Sequence, residues 1–152
     1  MLEIDPVKIR KKIGFCFQEP ILWGDTVEEN IKFPYDIRNQ KTDYKKTSVL
    51  LDRLHLDNSY LKHDVKNLSG GEKQRIALIR TLLFKPEVLL LDEITSALDD
   101  NNTELVENEI VRLNRKGVTI LWVTHSDTQS RKYASKLLSI QDGQIKSLEV
   151  LK

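Results

Sequence analysis

The chain has 152 residues, with 24 Lys or Arg against 23 Asp or Glu and a formal net charge of +1. That length suits one domain, and 31% charged with 39% hydrophobic residues is ordinary for a globular protein. The balanced charge argues against a dedicated nucleic-acid binder, the single cysteine Cys16 excludes an intrachain disulfide, and no apolar run is long enough to span a bilayer.

In chain order, MLEIDPVKIRKK lacks the apolar stretch of a secretory signal, so a cytoplasmic location is expected, and KIRKK at 8–12 reads as solvated surface. KIGFCFQ at 12–18 has strand character and ends on a polar residue, Gln18. WGDTVEENI follows, where Thr26 and Glu29 have capping-box spacing. Tyr44, Leu50, Leu51 and Leu54 mark an amphipathic helix over 42–54, followed by a polar segment at 60–67. Ser69 and Glu72 form a second capping box, and Ile76, Ile79 and Leu83 continue the helix at helical spacing until Lys85–Pro86.

VLLLD at 88–92 predicts a strand covered on both faces. A helix is expected from about Asp100 to Asn114, ended by Gly117, and VTILWVT at 118–124 reads as a second buried strand. SDTQ at 126–129 offers another capping box, and Asp142–Gly143 sits between two short strands of a hairpin. Strands alternating with helices imply an α/β fold with a mainly parallel sheet.

Ligands of such sheets bind beyond the carboxyl ends of the strands, where this chain carries Gln18, Asp92 with Glu93, and His125. Gln18 alone means little after a strand, and His125 alone is as well explained as a helix cap. Two adjacent carboxylates are more specific, because holding them at a sheet edge costs solvation unless cations or donors receive them. Asp92 would help to hold hydrated Mg²⁺, and Glu93 would orient water for attack on a phosphoryl group. Gly70–Gly71 before a helix permits close approach of an anion to the first-turn amides, with the Ser69 hydroxyl as a further donor. On its own this glycine pair is an ordinary turn; its spacing from LLLDE gives it weight.

These motifs together resemble the nucleotide-binding ATPase domain of ABC transporters, over essentially the whole chain. FQEPILWGDTVEENI at 17–31 is similar to the family's glutamine loop and coupling region. LSGGEKQR at 68–75 resembles the signature, VLLLDE at 88–93 the Walker B strand, SALD at 96–99 the loop between paired domains, and VTHS at 123–126 the switch histidine segment. The resemblance implies a P-loop NTPase-like fold using ATP and Mg²⁺, with about 19–66 as a small helical subdomain and 67–152 as the C-terminal core region. It assigns catalysis to Glu93, His125 and Gln18, the metal to Asp92 and Gln18, and nucleotide contacts to Ser69, Gly70, Gly71 and Gln74. The partners it implies are a second ATPase subunit or a second copy, whose nucleotide Ser69, Gly70 and Gly71 would touch, and a membrane subunit near Trp23–Ile31. That membrane subunit would hold the chain at the inner face of the membrane.

Two departures accompany the resemblance. Ile94 stands where the family often has proline after the glutamate, so a looser turn is expected there. No G-x-x-x-x-G-K-(S/T) string occurs, which suggests a domain lacking its N-terminal Walker A portion and inactive in ATP hydrolysis by itself. On that view the alternative function is a non-catalytic subunit lending its signature to a complete ATPase. ABC-type DNA-repair ATPases are disfavoured, since no heptad run or cysteine cluster separates Gln18 from Ser69.

Overall fold

The computed structural model describes residues 5–151 and divides into two compact units, 1–122 and 123–152. In the first unit, α1 (Pro6–Lys12) leads directly into β1 (Ile13–Cys16). Asp5 caps α1 and Pro6 opens it, a position where the missing N–H costs nothing. The short α1 was not legible in the basic run, and it buries none of its residues. Next come α2 (Val27–Asp36) and α3 (Tyr44–Arg53), then two single-turn helices at Asn58–Lys62 and Val65–Asn67. Helix α4 (Gly70–Leu82), β2 (Val88–Asp92), α5 (Asp100–Arg115) and β3 (Thr119–Val123) complete the core elements, with the sheet in the order β1-β2-β3.

β1 and β2 pair in parallel, with Ile13 opposite Val88 and Cys16 opposite Leu91. The face of Gly14, Cys16, Leu89 and Leu91 is buried under α4. A Cβ on Gly14 would lie 2.7 Å from Thr81 Cγ2 and 3.1 Å from Leu89 Cδ1, so glycine sets how closely α4 can approach. Cys16 Sγ faces Thr81 Oγ1 at 3.5 Å, and burial pushes its thiol up to about 11, the behaviour of an inert core cysteine. The core continues through Ile31, Leu51, Leu54, Ile76, Ile79, Leu83 and Val106, all fully buried.

The expectation of strands covered on both faces is corrected. In β2 only Leu89 and Leu91 are buried, while Val88 and Leu90 are half-buried. In β1 Ile13 and Phe15 are exposed, and in β3 Leu121 is 61% exposed. The unbroken apolar run reflects strand identity, but α4 covers only one side of the β1–β2 pair.

Of the three anticipated capping boxes, Thr26–Glu29 and Ser69–Glu72 form in full, while at 126–129 Ser126 Oγ accepts from the Gln129 amide at 3.2 Å. Thr26 Oγ1 accepts from the Glu29 amide at 3.4 Å while Glu29 receives the Thr26 amide at 3.1 Å. The Ser69–Glu72 box opens α4 in the same way.

In the second unit, Ser126 caps α6 (Asp127–Tyr133), and β4 (Lys136–Gln141) pairs antiparallel with β5 (Gln144–Val150). Asp142 and Gly143 join these strands with φ of +51° and +75°, the positive pair that a tight hairpin turn requires. The anticipated hairpin is therefore present, and its two-residue connection matches the strand twist.

A side chain at position 14 should force α4 off the sheet. Gly14→Ala is expected to lower the unfolding free energy by about 1–3 kcal/mol, read as a lower urea midpoint at unchanged slope. Adding Thr81→Ser, which removes the obstructing methyl, should recover part of the loss.

Candidate functional site

Residues 17 and 18 leave β1 at the same edge where Asp92 ends β2 and Glu93 follows it. Gln18 Nε2 donates to Glu93 Oε2 at 3.1 Å, bringing together two residues 75 positions apart. Glu93 adopts φ +43°, a left-handed conformation that costs a non-glycine residue about 1–2 kcal/mol. The turn after it is closed by Ser96 N donating to Glu93 O at 3.0 Å and Leu98 N to Thr95 O at 3.2 Å. Ile94, at the position where the family often has proline, is 1% exposed and belongs to the core. The apolar side chain anchors the turn from below, while Asp92 and Glu93 stay half-buried at the sheet edge.

Ser69, Gly70 and Gly71 lie at the N-terminus of α4. Glu72 ties this end down: Oε2 accepts from Ser69 N at 2.7 Å and Ser69 Oγ at 2.8 Å, while Oε1 accepts from Tyr60 Oη at 2.6 Å. The Tyr60 phenol is the first cause, and the Ser69 bonds a further one, that hold the Glu72 carboxyl below its ordinary range; in return Glu72 raises the Tyr60 hydroxyl. Space beside Gly70 is open, with no atom within 4 Å of where a Cβ would sit. Gly71 is tighter, since its Cβ would meet Leu98 Cδ2 at 3.2 Å, which sets the loop 96–99 against the start of α4.

Gln74, placed among the nucleotide contacts by resemblance, is 3% exposed and donates through Nε2 to Phe17 O at 3.1 Å. Its amide holds the residue before Gln18. Arg75 is also buried, and donates to Leu54 O at 3.2 Å and to the Asn102 side chain, linking α4 with the end of α3 and with α5. His125 is exposed in the second unit, beside a local turn in which Ser126 N donates to Thr124 Oγ1 at 3.1 Å. Sequence reasoning did not single out Tyr60, Arg75 or Arg80. Their partners lie 12 to 59 positions away, so no local spacing could have marked them.

The chain thus has an α/β fold whose parallel sheet carries paired acids at its edge and a glutamine bonded to one of them. A family profile described as ABC transporter matches residues 2–96. The chain belongs to the ABC transporter family. The "Probable iron export ATP-binding protein FetA" of Escherichia coli (strain K12) is 45% identical over 139 residues, 91% of this chain and 61% of that protein. "ABC transporter I family member 17" of Arabidopsis thaliana is 41% identical over 150 residues, 98% of this chain and 56% of that protein. The chain thus spans somewhat over half the length of these relatives. Among solved structures, the dimeric post-hydrolysis state of the ATP-binding cassette MJ0796 bound to ADP and Pi superposes with a TM-score of 0.82. It is 29% identical, and the match covers 99% of this chain and 69% of that one.

The family match begins at residue 2 and takes in α1, β1 and the Gln18 segment. It corrects the expectation of a family domain without its N-terminal Walker A portion, because the N-terminal residues lie inside the matched domain. The expected inactivity of the isolated chain loses its premise with that correction. Among the described residues no helix is long and apolar enough to cross a membrane.

The depressed Glu72 carboxyl makes the signature cap acid-sensitive. Its folded-state pKa lies below the ordinary 4.5. Its stabilising contribution is therefore complete above about pH 4.5 and lost as pH falls through the folded value. Glu72→Gln should flatten that part of the stability–pH curve between pH 7 and 3 in urea titrations, and Tyr60→Phe should narrow it.

Proposed function

We propose that this chain is an ATP-binding and ATP-hydrolysing subunit of an ABC-type transporter, working as a dimer with a second ATPase subunit or another copy of itself. The observation that carries the reading is the Gln18–Glu93 hydrogen bond of 3.1 Å at the sheet edge, beside Asp92. In this reading Glu93 accepts a hydrogen bond from water and orients it toward a phosphoryl group, while Gln18 fixes the carboxylate through its amide. Asp92 and Gln18 are the residues suited to a magnesium ion that arrives with the nucleotide. Such an ion needs only one or two protein oxygens besides phosphate and water, and it would neutralise charge on the transferred group. Among the described residues no cluster of three His, Cys, Asp or Glu is assembled to cage a metal by itself.

Ser69 and the first-turn amides of α4 suit anionic oxygens, and the open space at Gly70 leaves that helix end accessible. In a dimer they would close on the partner's nucleotide, with 96–99 at the shared boundary and His125 facing its own chain's nucleotide. Residues 19–66 would form a helical subdomain and 67–152 the C-terminal core region. A membrane subunit would dock near Trp23–Ile31 and hold the chain at the inner face of the membrane. The open face at Gly70 also supports a narrower reading, a non-catalytic subunit that lends its signature to a complete ATPase.

Phosphate release from MgATP separates these readings. A hydrolase should lose on the order of 10²-fold or more activity on Glu93→Gln and lose activity on Ser69→Arg. Assistance to a second ATPase that depends on Ser69 but not on Glu93 would leave only the narrower reading. Glu93-independent phosphate release would overturn the hydrolytic one.

A further inference from the structure

Arg80 lies near the C-terminal end of α4, far along the helix from Ser69. Nη1 donates to Asn30 Oδ1 at 3.0 Å and Nη2 to Ile21 O at 2.9 Å, while the guanidinium carbon stands 4.1 Å from the centroid of the Trp23 ring. This is a fork with two acceptors and a ring face, an arrangement that suits a planar guanidinium and not an ammonium. None of the described ion pairs includes Arg80, and desolvation holds its pKa below the ordinary value.

Asn30 completes the joint. It is fully buried, and it donates through Nδ2 to Trp23 O at 2.7 Å and to Thr26 O at 3.0 Å while its Oδ1 also accepts the Trp23 amide at 3.1 Å. Trp23 meets Phe33 of α2 edge-on at 5.0 Å. Gln74, six residues earlier on α4, grips Phe17 O. The same helix therefore holds the chain immediately before Gln18 and again three to five residues after it.

We infer that Arg80 is a positioning residue: with Gln74 it clamps the Gln18 segment to α4, so that the glutamine bonded to Glu93 and the Ser69 helix move as one body. The inference rests on the proposed ATPase reading for its mechanistic meaning, since only there does the position of Gln18 matter to a reaction. Its physical content is separate, because it predicts that cutting one tie beyond residue 20 loosens residues 17 and 18. A purely local packing role would not do this. Arg80 contacts none of the reacting groups and acts through the loop.

The test is amide hydrogen exchange by mass spectrometry on the full chain, comparing Arg80→Ala and Arg80→Lys with the unsubstituted protein. Both variants should exchange about tenfold faster across residues 17–25, the scale of one lost charge-assisted contact, with the rest of α4 unchanged. Arg80→Lys keeps charge and most of the volume, so it guards against a general folding defect in Arg80→Ala. Acceleration confined to 21–25, with 17–18 unaffected, would overturn the inference, as would unchanged exchange in both variants. Phosphate release measured on the same samples should fall with the loosened segment. If exchange rises at 17–18 but the unsubstituted protein releases no phosphate, the clamp stands and the ATPase reading fails. If phosphate release is present and unaltered despite that acceleration, the positioning role is overturned.

Discussion

Helix α4 can serve the site only because it sits on the sheet at a distance that position 14 allows. With hydrogen in place of a side chain at Gly14, Thr81 reaches into van der Waals range of β1 and Cys16 is sealed beneath it. From that seat the helix reaches in several directions at once: Gln74 to Phe17, Arg75 to Leu54 and Asn102, Arg80 to Ile21 and Asn30. Backbone carbonyls of irregular segments are left without partners when a chain leaves its strand, and burying them unpaired is costly. Polar side chains of one well-packed helix supply those partners here, which is why a loop of few residues holds a defined path.

The sheet edge shows a conflict between local preference and use. A run as apolar as VLLLD favours continuation as strand or burial, yet it ends in two carboxylates and a residue at positive φ. Conflicts of this kind concentrate where function requires a particular presentation of side chains. Ile94 is what holds the turn: its side chain enters the core directly after Glu93, so the backbone reverses while the carboxylate faces outward beside Gln18. In place of a ring that would preset the backbone, the anchor is hydrophobic burial, worth roughly 1.5–3 kcal/mol for such a side chain.

The residues that meet the outside and those that hold them differ in kind. Ser69, Gly70 and Gln18 are exposed and stand in short local strings that a reader of the sequence can find. Gln74 and Arg75 stand in the same string, LSGGEKQR, but are buried and turned toward the protein's own backbone. Contiguity in this string thus mixes exposed residues with buried supporting ones, because successive positions on a helix point to different sides.

From the sequence alone the alternation of strands and helices after residue 12, the capping boxes at Thr26 and Ser69, the parallel α/β class and the hairpin at Asp142–Gly143 were legible, since each depends on neighbours within a few positions. So was the family, through motifs that keep their spacing. The N-terminal helix escaped notice because Pro6–Lys12 is solvated all round and has no apolar stripe to announce it. Which face of each strand is covered, where Gln74 points, and how Arg80 joins Ile21, Trp23 and Asn30 were decided only by the tertiary structure. These are contacts between segments far apart in the chain, and residue spacing carries no information about which distant carbonyl or ring will stand opposite once the helix docks.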